Sequence, residues 1–433
     1  MRRPVRWIVG SAVGVLLLAG AGYWNTLRVA EETLEEGRRE FRAEVARLRA
    51  RNFGRPPLLT PEEPGDASEI YAKVLASLQA SSQVDFLAVY GEAHDGPTPA
   101  STVSAAEAAT RLTPILLRLD AAFHRAYAAA PPAEFGSTVG TLRSERCARL
   151  GEYADPALAC AKVSVREGRV AEAVRLLTAA WLVAADTARG GAFADVSEIH
   201  YRTTSAREAL CDVLANQPLT PPLLRELAGR LDALARGRYR TSESWTIERC
   251  NLLGTLAEDP IWADRNRRIF SLPAARESIW SIRIARAHVL RSMSTLPSVL
   301  ADEGSDPWRI ALEPALELMG RDIPRVAHAA LRHRWRLPFY VEQEGLAAEA
   351  ALRLAVAVAR FEAERGTWPV AENDLVPSFL PAIPTSAFDP SGLRFSGNKA
   401  WSRDSNGVDD GGRRPSDVLG SNGDIVVEVK GHR

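Results

Sequence analysis

Helical periodicity runs through most of this 433-residue chain and limits its possible folds more than any other feature. From residue 67 to about residue 336 apolar residues recur at helical spacing, as Ile70, Val74 and Leu78 do at the start of the region. Strand-like alternation appears only beyond residue 390. The sequence therefore predicts a mainly α protein, an irregular α-solenoid or helical bundle, with a small α+β domain at the C-terminus.

One segment predicts a helical hairpin directly. A helix from Ala157 to Glu167 and another from Val170 to Thr187 are separated by Gly168-Arg169, a turn signal between two apolar-periodic stretches. No regular repeat of this hairpin follows in the sequence. We therefore expect an irregular helical arrangement rather than a repeat array.

The first 27 residues indicate where the chain resides. Three arginines, at positions 2, 3 and 6, precede 21 uncharged residues, Trp7 to Leu27, enough for a helix to cross a bilayer core of about 30 Å. Positive charge at the N-terminus favours its retention in the cytoplasm. We predict a single-pass anchor in the bacterial inner membrane, residues 1–27, with the bulk of the chain in the periplasm. The alternative is a cleaved signal peptide, with Ile8 to Leu18 as its apolar core and Ala19-Gly20-Ala21 as its cleavage site, which would leave the chain secreted or periplasmic.

Residues 28–66 are predicted to connect the anchor to the body. The stretch from Leu27 to Arg51 is charged and amphipathic, and we expect a helix surrounded by solvent. The alternatives are a stalk that lifts the body off the bilayer and a helix that dimerises. Asn52 to Asp66 contains four prolines and predicts an extended linker. The helical domain is then assigned residues 67–340 and the C-terminal domain residues 345–433.

Charge and motif content argue against several classes of function. The 54 basic residues balance 54 acidic ones, so no net field would attract nucleic acid. The seven histidines are scattered singly, and the sequence contains no nucleophile elbow, phosphate-binding loop or zinc-protease motif. We expect no catalysis, no small-molecule substrate, and a helical domain that offers its surface to an unidentified protein partner. An enzyme with a site assembled from scattered acids and histidines in the helical domain is an alternative.

Four cysteines lie in the part predicted to be exported, and an even count outside the cytoplasm permits up to two disulfides. We predict the pairs Cys147–Cys160 and Cys211–Cys250. Buried free thiols are the alternative. The spacings match no zinc-binding pattern.

The region from Gly345 to Val429 carries the most specific pattern in the chain. A helix over Ala348 to Phe361 is followed by G-T-W-P, the Pro-rich bridge L-V-P-S-F-L-P-A-I-P, and then F-D-P-S-G-L-R-F and W-S. An acidic, Gly-rich loop with N-G-V-D-D-G-G and a closing G-D-I complete the series. The helix, turns and short strands predict a compact α+β domain.

The acidic loop predicts a calcium site. The heptapeptide D-S-N-G-V-D-D, residues 404–410, offers several side-chain oxygens, and its glycine permits a tight turn between them. Calcium prefers about six to eight hard oxygen ligands. A further acid returns on the predicted strand beside the loop, so the predicted ligands are Asp404, Asn406, Asp409, Asp410 and Asp424. A solvated acidic turn, in which the glycines serve only the turn geometry, is the alternative.

The order of these motifs resembles the C-terminal part of the major pseudopilin of type II secretion. It is also similar to the ending of a group of bacterial envelope proteins with an N-terminal anchor and a helical middle. The likeness covers about 85 residues, Gly345 to Val429. It implies a calcium-binding, pilin-like domain whose loop lies at Ser402, Asp404 and Asn406 and closes at Asp424.

Together these patterns predict a membrane-anchored, periplasm-facing structural or interaction protein with a calcium-stabilised, pilin-like C-terminal module. A component of a secretion or pilus-like assembly is the alternative that the resemblance implies.

Overall fold

The computed structural model describes residues 3–61, 65–81, 85, 88–89, 104–129, 145–191, 193–258, 287, 290, 325–414 and 423–431. Helices dominate these residues, and a three-stranded antiparallel sheet lies near the C-terminus. The prediction of a mainly α protein with a small C-terminal α+β part is confirmed.

The first helices flank an extended segment. They are α1 (Arg3–Ala50), α2 (Ala67–Gln79) and α3 (Ala105–Leu116), the last leading into a 3-10 helix (Leu117–His124). Asp66 begins α2 because its carboxylate accepts the N–H of Ser68 at 2.7 Å. Ser104 and Glu107 form a capping box at the start of α3, which satisfies N–H groups that the helix cannot.

Helices α4 (Glu145–Arg166) and α5 (Val170–Ala188) form a hairpin. The chain reverses at Gly168, whose φ of 76° is a conformation that glycine adopts without strain. All but one of the residues from Ala173 to Ala184 are buried, because α5 is packed against α4, the next helix and the 3-10 helix. The predicted hairpin and its turn are confirmed.

Three further helices complete the body: α6 (Phe193–Asn216), α7 (Pro221–Arg236) and α8 (Thr241–Glu258). Proline at the start of α7 suits a position that needs no N–H donor. Leu224, Leu227 and Leu231 recur at spacings of three and four, and this periodicity gives α7 its buried face.

The C-terminal elements are α9 (Arg325–Arg365), α10 (Glu372–Leu375), β1 (Arg394–Ser396), β2 (Lys399–Ser402) and β3 (Ile425–Glu428). Strand β2 is central and antiparallel to both neighbours, with Ala400 opposite Phe395 on one side and Val427 on the other. Helix α9 packs on β2 and β3 and also on α6 and α7. Because α9 is one helix from Arg325 to Arg365, it crosses the domain boundary that the sequence predicted between residues 340 and 345.

The predicted linker, Asn52 to Asp66, is held against the body where it is described. Arg55 and Tyr127 exchange two backbone hydrogen bonds of 2.9 Å, and the N–H of Leu58 donates to Phe123 O at 2.9 Å. Leu58 is also buried. The segment thus belongs to the packed structure, although its sequence reads only as an extended connection.

The second half of α1 is docked on the body, which corrects the expectation of a solvent-surrounded helix. Leu34, Phe41 and Leu48 are buried in the main core, where α1 packs against α8. Glu40 accepts a hydrogen bond from Arg249 of α8 at 2.5 Å. An apolar stripe looks the same in a docked helix and in a stalk, so periodicity could not separate them. Burial of these large apolar side chains is what favours docking.

A buried ion pair fixes the docked segment to α5. Asp186 is fully buried and accepts hydrogen bonds from Arg55 Nε at 2.6 Å and Arg55 Nη2 at 2.5 Å. It also accepts from the Tyr71 hydroxyl at 2.5 Å. Burial first, and then the Asp186 charge, raise the pKa of Tyr71 well above its ordinary value, so the phenol stays a donor.

The predicted disulfides are wrong for the cysteines that the structure describes. Cys160, Cys211 and Cys250 are free thiols, as the alternative held. Cys147 and Cys160 both lie on α4, and thirteen residues of helix separate them by about 20 Å along its axis. A disulfide spans at most about 7 Å between Cα atoms. Burial raises the pKa of the Cys160 and Cys250 thiols to about 12.

Among the residues whose side chains are described, no helix is both long and apolar enough to cross a membrane. Most of the stretch predicted as an anchor, Trp7 to Leu27, lies outside those residues, and its assignment stays a prediction.

Candidate calcium site in the C-terminal domain

The acidic loop, defined here as residues 403–413, follows β2 directly. Strand β2 gives it a rigid base, since Ala400, Trp401 and Ser402 are all buried. Gly407 and Gly412 have φ values of 72° and 73°, a backbone conformation that residues with a side chain rarely adopt. A Cβ at residue 412 would also lie 3.1 Å from the Trp401 ring. The turns of the loop therefore depend on glycine.

Asp424 is the most buried of the five predicted ligands, with 2% of its surface exposed. Its Oδ2 accepts the N–H of Gly412 at 2.8 Å, and its own N–H donates to Arg413 O at 2.7 Å. Oδ1 is buried as well, and it has no hydrogen-bond partner among the described residues. Leaving a carboxylate oxygen buried without a partner is costly, so this atom marks a place where a cation would stabilise the fold.

Neighbouring acids add to the cost of ionising Asp424. Burial raises its pKa most, hydrogen bonds from the backbone N–H groups of Gly412 and Asp410 lower it, and the charges of Asp409 and Asp410 raise it further. These three carboxylates are thus close enough to repel one another.

Asp409 is held by several donors. Its Oδ1 accepts Trp401 Nε1 and the Gly411 N–H, each at 3.1 Å, and its Oδ2 lies 3.1 Å from Arg394 Nε. Burial alone would raise its pKa, but these hydrogen bonds and the nearby arginines lower it. Of the predicted ligands, Asp409 is the one most fully committed to other partners.

Asp404 and Asn406 shape the first turn of the loop. The carbonyl of Asp404 accepts the Gly407 N–H at 2.9 Å, and its Oδ1 accepts the Ser405 N–H at 2.6 Å. Oδ1 of Asn406 accepts the Val408 N–H at 2.7 Å, and the Asn406 side chain is exposed. Both side chains serve turn geometry here, as the alternative interpretation of an acidic turn requires.

The first turn faces α9. Ser405 Oγ accepts the Tyr340 hydroxyl at 2.9 Å. Burial, followed by the charge of Asp404, raises the pKa of Glu344 on the same helix. Asp404 therefore lies beside α9, whereas Asp409 and Asp410 act on Asp424.

The five predicted ligands are thus only partly brought together. In the part of the chain that the structure describes, no three His, Cys, Asp or Glu side chains form a group ready to hold a metal ion. The bare Oδ1 of Asp424 fits a cation best, with Asp410 and main-chain carbonyls of the loop as the groups that could join it. Ser402, which the resemblance places at the site, is buried with its Oγ 2.9 Å from Ser386 Oγ.

Two residues of the loop's support were missed by the sequence reasoning. Asp389 is fully buried, and its Oδ2 accepts Arg394 Nη1 at 2.5 Å. Because Arg394 also pairs with Asp409, it connects the segment that follows the Pro-rich bridge to the acidic loop. An Asp-Pro pair is typical of a turn at Asp389, and a charged residue between the apolar Leu393 and Phe395 was the one further signal in the sequence.

Comparison of the chain with family models gives no match, and comparisons with curated proteins and with solved structures give none either. The resemblance to the major pseudopilin therefore remains a prediction from the motifs quoted above.

Proposed function

We propose that this chain is a non-catalytic structural or interaction protein of the bacterial cell envelope. Residues 1–27 hold it in the inner membrane, and its bulk faces the periplasm. Calcium binds at the acidic loop and stabilises the C-terminal domain, while the helical body offers a surface to a protein partner. The observation that carries the calcium proposal is the buried Oδ1 of Asp424, which has no hydrogen-bond partner among the described residues and lies near two further carboxylates.

Calcium suits the chemistry of this loop. A divalent cation against Asp424 Oδ1 would supply the missing partner and offset the repulsion from Asp409 and Asp410. The loop offers carboxylates and main-chain carbonyls in an irregular arrangement. Calcium tolerates such a shell, whereas magnesium demands near-octahedral geometry.

Placement at a membrane is supported by the region just before the docked half of α1. Tyr23 and Trp24 are 46% and 72% exposed and lie near the C-terminal edge of the predicted anchor. Aromatic side chains with a polar atom are enriched where a membrane helix meets water. Their exposure on α1 suits an interfacial position.

Thermal unfolding of the purified full-length chain in detergent tests the calcium proposal. At free calcium about 100 times the dissociation constant, binding adds about 2.7 kcal/mol. For a chain of this length that corresponds to a rise in Tm of about 3 °C over the chelator-treated protein. Asp424→Asn should abolish the rise and leave the calcium-free Tm unchanged or higher, because it removes a charge that burial disfavours.

The control is Glu372→Gln, which removes an exposed acid of α10 in the same domain and should keep the full calcium response. The pKa of Asp424 is raised in the fold, so its ionisation destabilises the calcium-free protein as pH rises through that pKa. The calcium-induced rise should therefore be largest near neutral pH and shrink on acidification. No change in Tm with calcium or chelator, or an equal rise in Asp424→Asn, would sink the proposal.

A further inference from the structure

We propose that a cleft between the helical body and the Pro-rich bridge binds a small anionic ligand, one that carries carboxylate or phosphate groups, through Arg238 and Arg353. This site is separate from the acidic loop and independent of the calcium proposal.

The cleft has a volume of about 510 Å³, within the range of small-molecule sites. Three parts of the chain form its walls. Arg238 and Arg240 come from the connection between α7 and α8, Arg353 comes from α9, and the third wall is Pro384, the last residue of the Pro-rich bridge, with Thr385 and Ser386, which follow it. Sites built where separate parts of a fold meet are a common location for ligands.

On two walls of the cleft, an arginine keeps guanidinium N–H groups that a ligand could bind. Arg238 donates from Nη2 to Glu349 at 2.6 Å, and this is its one hydrogen bond to the described residues. Arg353 directs Nε and Nη2 to a single oxygen of Asp232, at 3.0 and 2.6 Å, and its Nη1 makes no hydrogen bond to the described residues. Arginine carries five N–H donors in a planar fork that matches carboxylate and phosphate oxygens.

The two acids of the cleft already have partners. Glu349 is buried against Arg238, and Glu342 is buried with Oε1 accepting the Thr241 N–H at 3.0 Å, at the N-terminus of α8. Both carboxylates of the lining are therefore occupied by protein groups, whereas Arg238 and Arg353 each pair with one acid and keep guanidinium N–H groups that bind none of the described residues. The remaining donor capacity favours an anion over a cation.

The ring of polar groups around the arginines supports a ligand of defined shape. Ser242, Gln343 and Thr385 are polar residues of the lining, whereas the hydroxyl of Ser386 is already engaged by Ser402 Oγ and by the Asp389 N–H, each at 2.9 Å. Such groups orient a ligand after the guanidinium groups attract it. The cleft does not have the volume for a folded macromolecule, so the ligand is a small molecule.

Isothermal titration calorimetry on the purified full-length chain at low salt tests this site. The probes are inorganic phosphate, pyrophosphate and citrate, with glucose as the uncharged comparison. We expect saturable binding of at least one anion and none of glucose. Binding of the phosphates alone assigns phosphate as the recognised group, and binding of citrate alone assigns carboxylate. Failure of all three anions to bind at concentrations up to about 10 mM would overturn the proposal.

Arg353→Gln should lower the affinity for the bound anion by at least about tenfold, because a charged hydrogen bond is lost. Arg225→Gln is the matched control. Arg225 also joins α7 to α9, through Glu364 at 3.2 Å, but it lies outside the cleft and its loss should change nothing. An equal effect of both substitutions would contradict the assignment. If circular dichroism shows Arg353→Gln to be unfolded, the exposed Arg240 of the same cleft is replaced by Gln instead.

The two proposals fail separately. Asp424→Asn lies outside the cleft and should bind the anion as the wild type does. Anion binding by chelator-treated protein would support the cleft whatever the result of the calcium test.

Discussion

Asp186 shows what one side chain must do when a charge is taken out of water. It accepts hydrogen bonds from Arg55 and Tyr71, and Arg189 Nε lies 3.4 Å away. The Arg55 guanidinium also donates to the carbonyls of Ala122 and Arg125, so it joins three segments. Both charged groups are buried and therefore not solvated by water, so each is stabilised by the opposite charge of the other.

Replacing Asp186 with Asn should lower the free energy of unfolding by about 3–5 kcal/mol, because Arg55 would remain buried without its counter-charge. Denaturant titration followed by circular dichroism measures this change. Glu364→Gln is the comparison: its pair with Arg225 is exposed, and its loss should cost less than about 1 kcal/mol. If the two variants lose similar amounts of unfolding free energy, the buried Arg55–Asp186 pair stabilises the fold no more than an exposed pair does.

At the candidate site the sequence located the loop but not its partners. The sequence spacing of the acids and glycines in residues 404–412 favours local turns. The hydrogen bond from the Val408 N–H to Asn406 Oδ1 is of the kind that such spacing allows. The pairing of Arg394 with Asp409 depends on how β1 and the loop approach in space. No spacing rule contains that information, so the commitment of Asp409 could not be foreseen.

Among the elements, the docked half of α1 departs most from its sequence interpretation. Its buried side chains repeat along one face, and α8 covers them. The α4–α5 hairpin was predictable because a glycine turn separates two apolar stretches of its own sequence. The cover over α1 comes from a helix about two hundred residues later in the chain, where periodicity gives no guidance.

Phe41→Ala tests the docking of α1. Truncation of a buried phenylalanine should cost about 3–5 kcal/mol in the free energy of unfolding. Arg49→Ala, at an exposed position of the same helix, should be within about 0.5 kcal/mol of wild type. Denaturant titrations of both variants give the comparison. If Phe41→Ala is as mild as the control, α1 is a free helix, as its sequence alone suggested.

In the whole molecule, the C-terminal domain is joined to the body along its length. Helix α9 packs on α6, α7 and the sheet at once. At the far end the Lys430 N–H donates to Leu214 O at 2.7 Å, and Lys430 Nζ donates to Asn216 O at 2.9 Å. The domain therefore buries much of its apolar surface against helices that lie outside its own sequence.

An isolated fragment of residues 340–433 should consequently lack a cooperative thermal transition, because its α9 face would be exposed to water. Circular dichroism melts of the fragment and of the full chain make the comparison. A sharp transition of the fragment near the Tm of the full chain would show instead that this domain folds independently.

Among the residues of α1 whose side chains are described, burial begins at Leu27, and this would set how far the body stands from a membrane if residues 1–27 form an anchor. Leu27 is the last residue of the uncharged stretch and is already buried, and Ala30, about 4.5 Å further along the helix, is buried too. If residues 7–27 form the anchor, no linker would separate it from the docked part of α1, and the body would lie directly on the bilayer surface. Its encounters would then take place in a thin layer beside the membrane, where tethering raises the effective concentration of any partner anchored to the same surface.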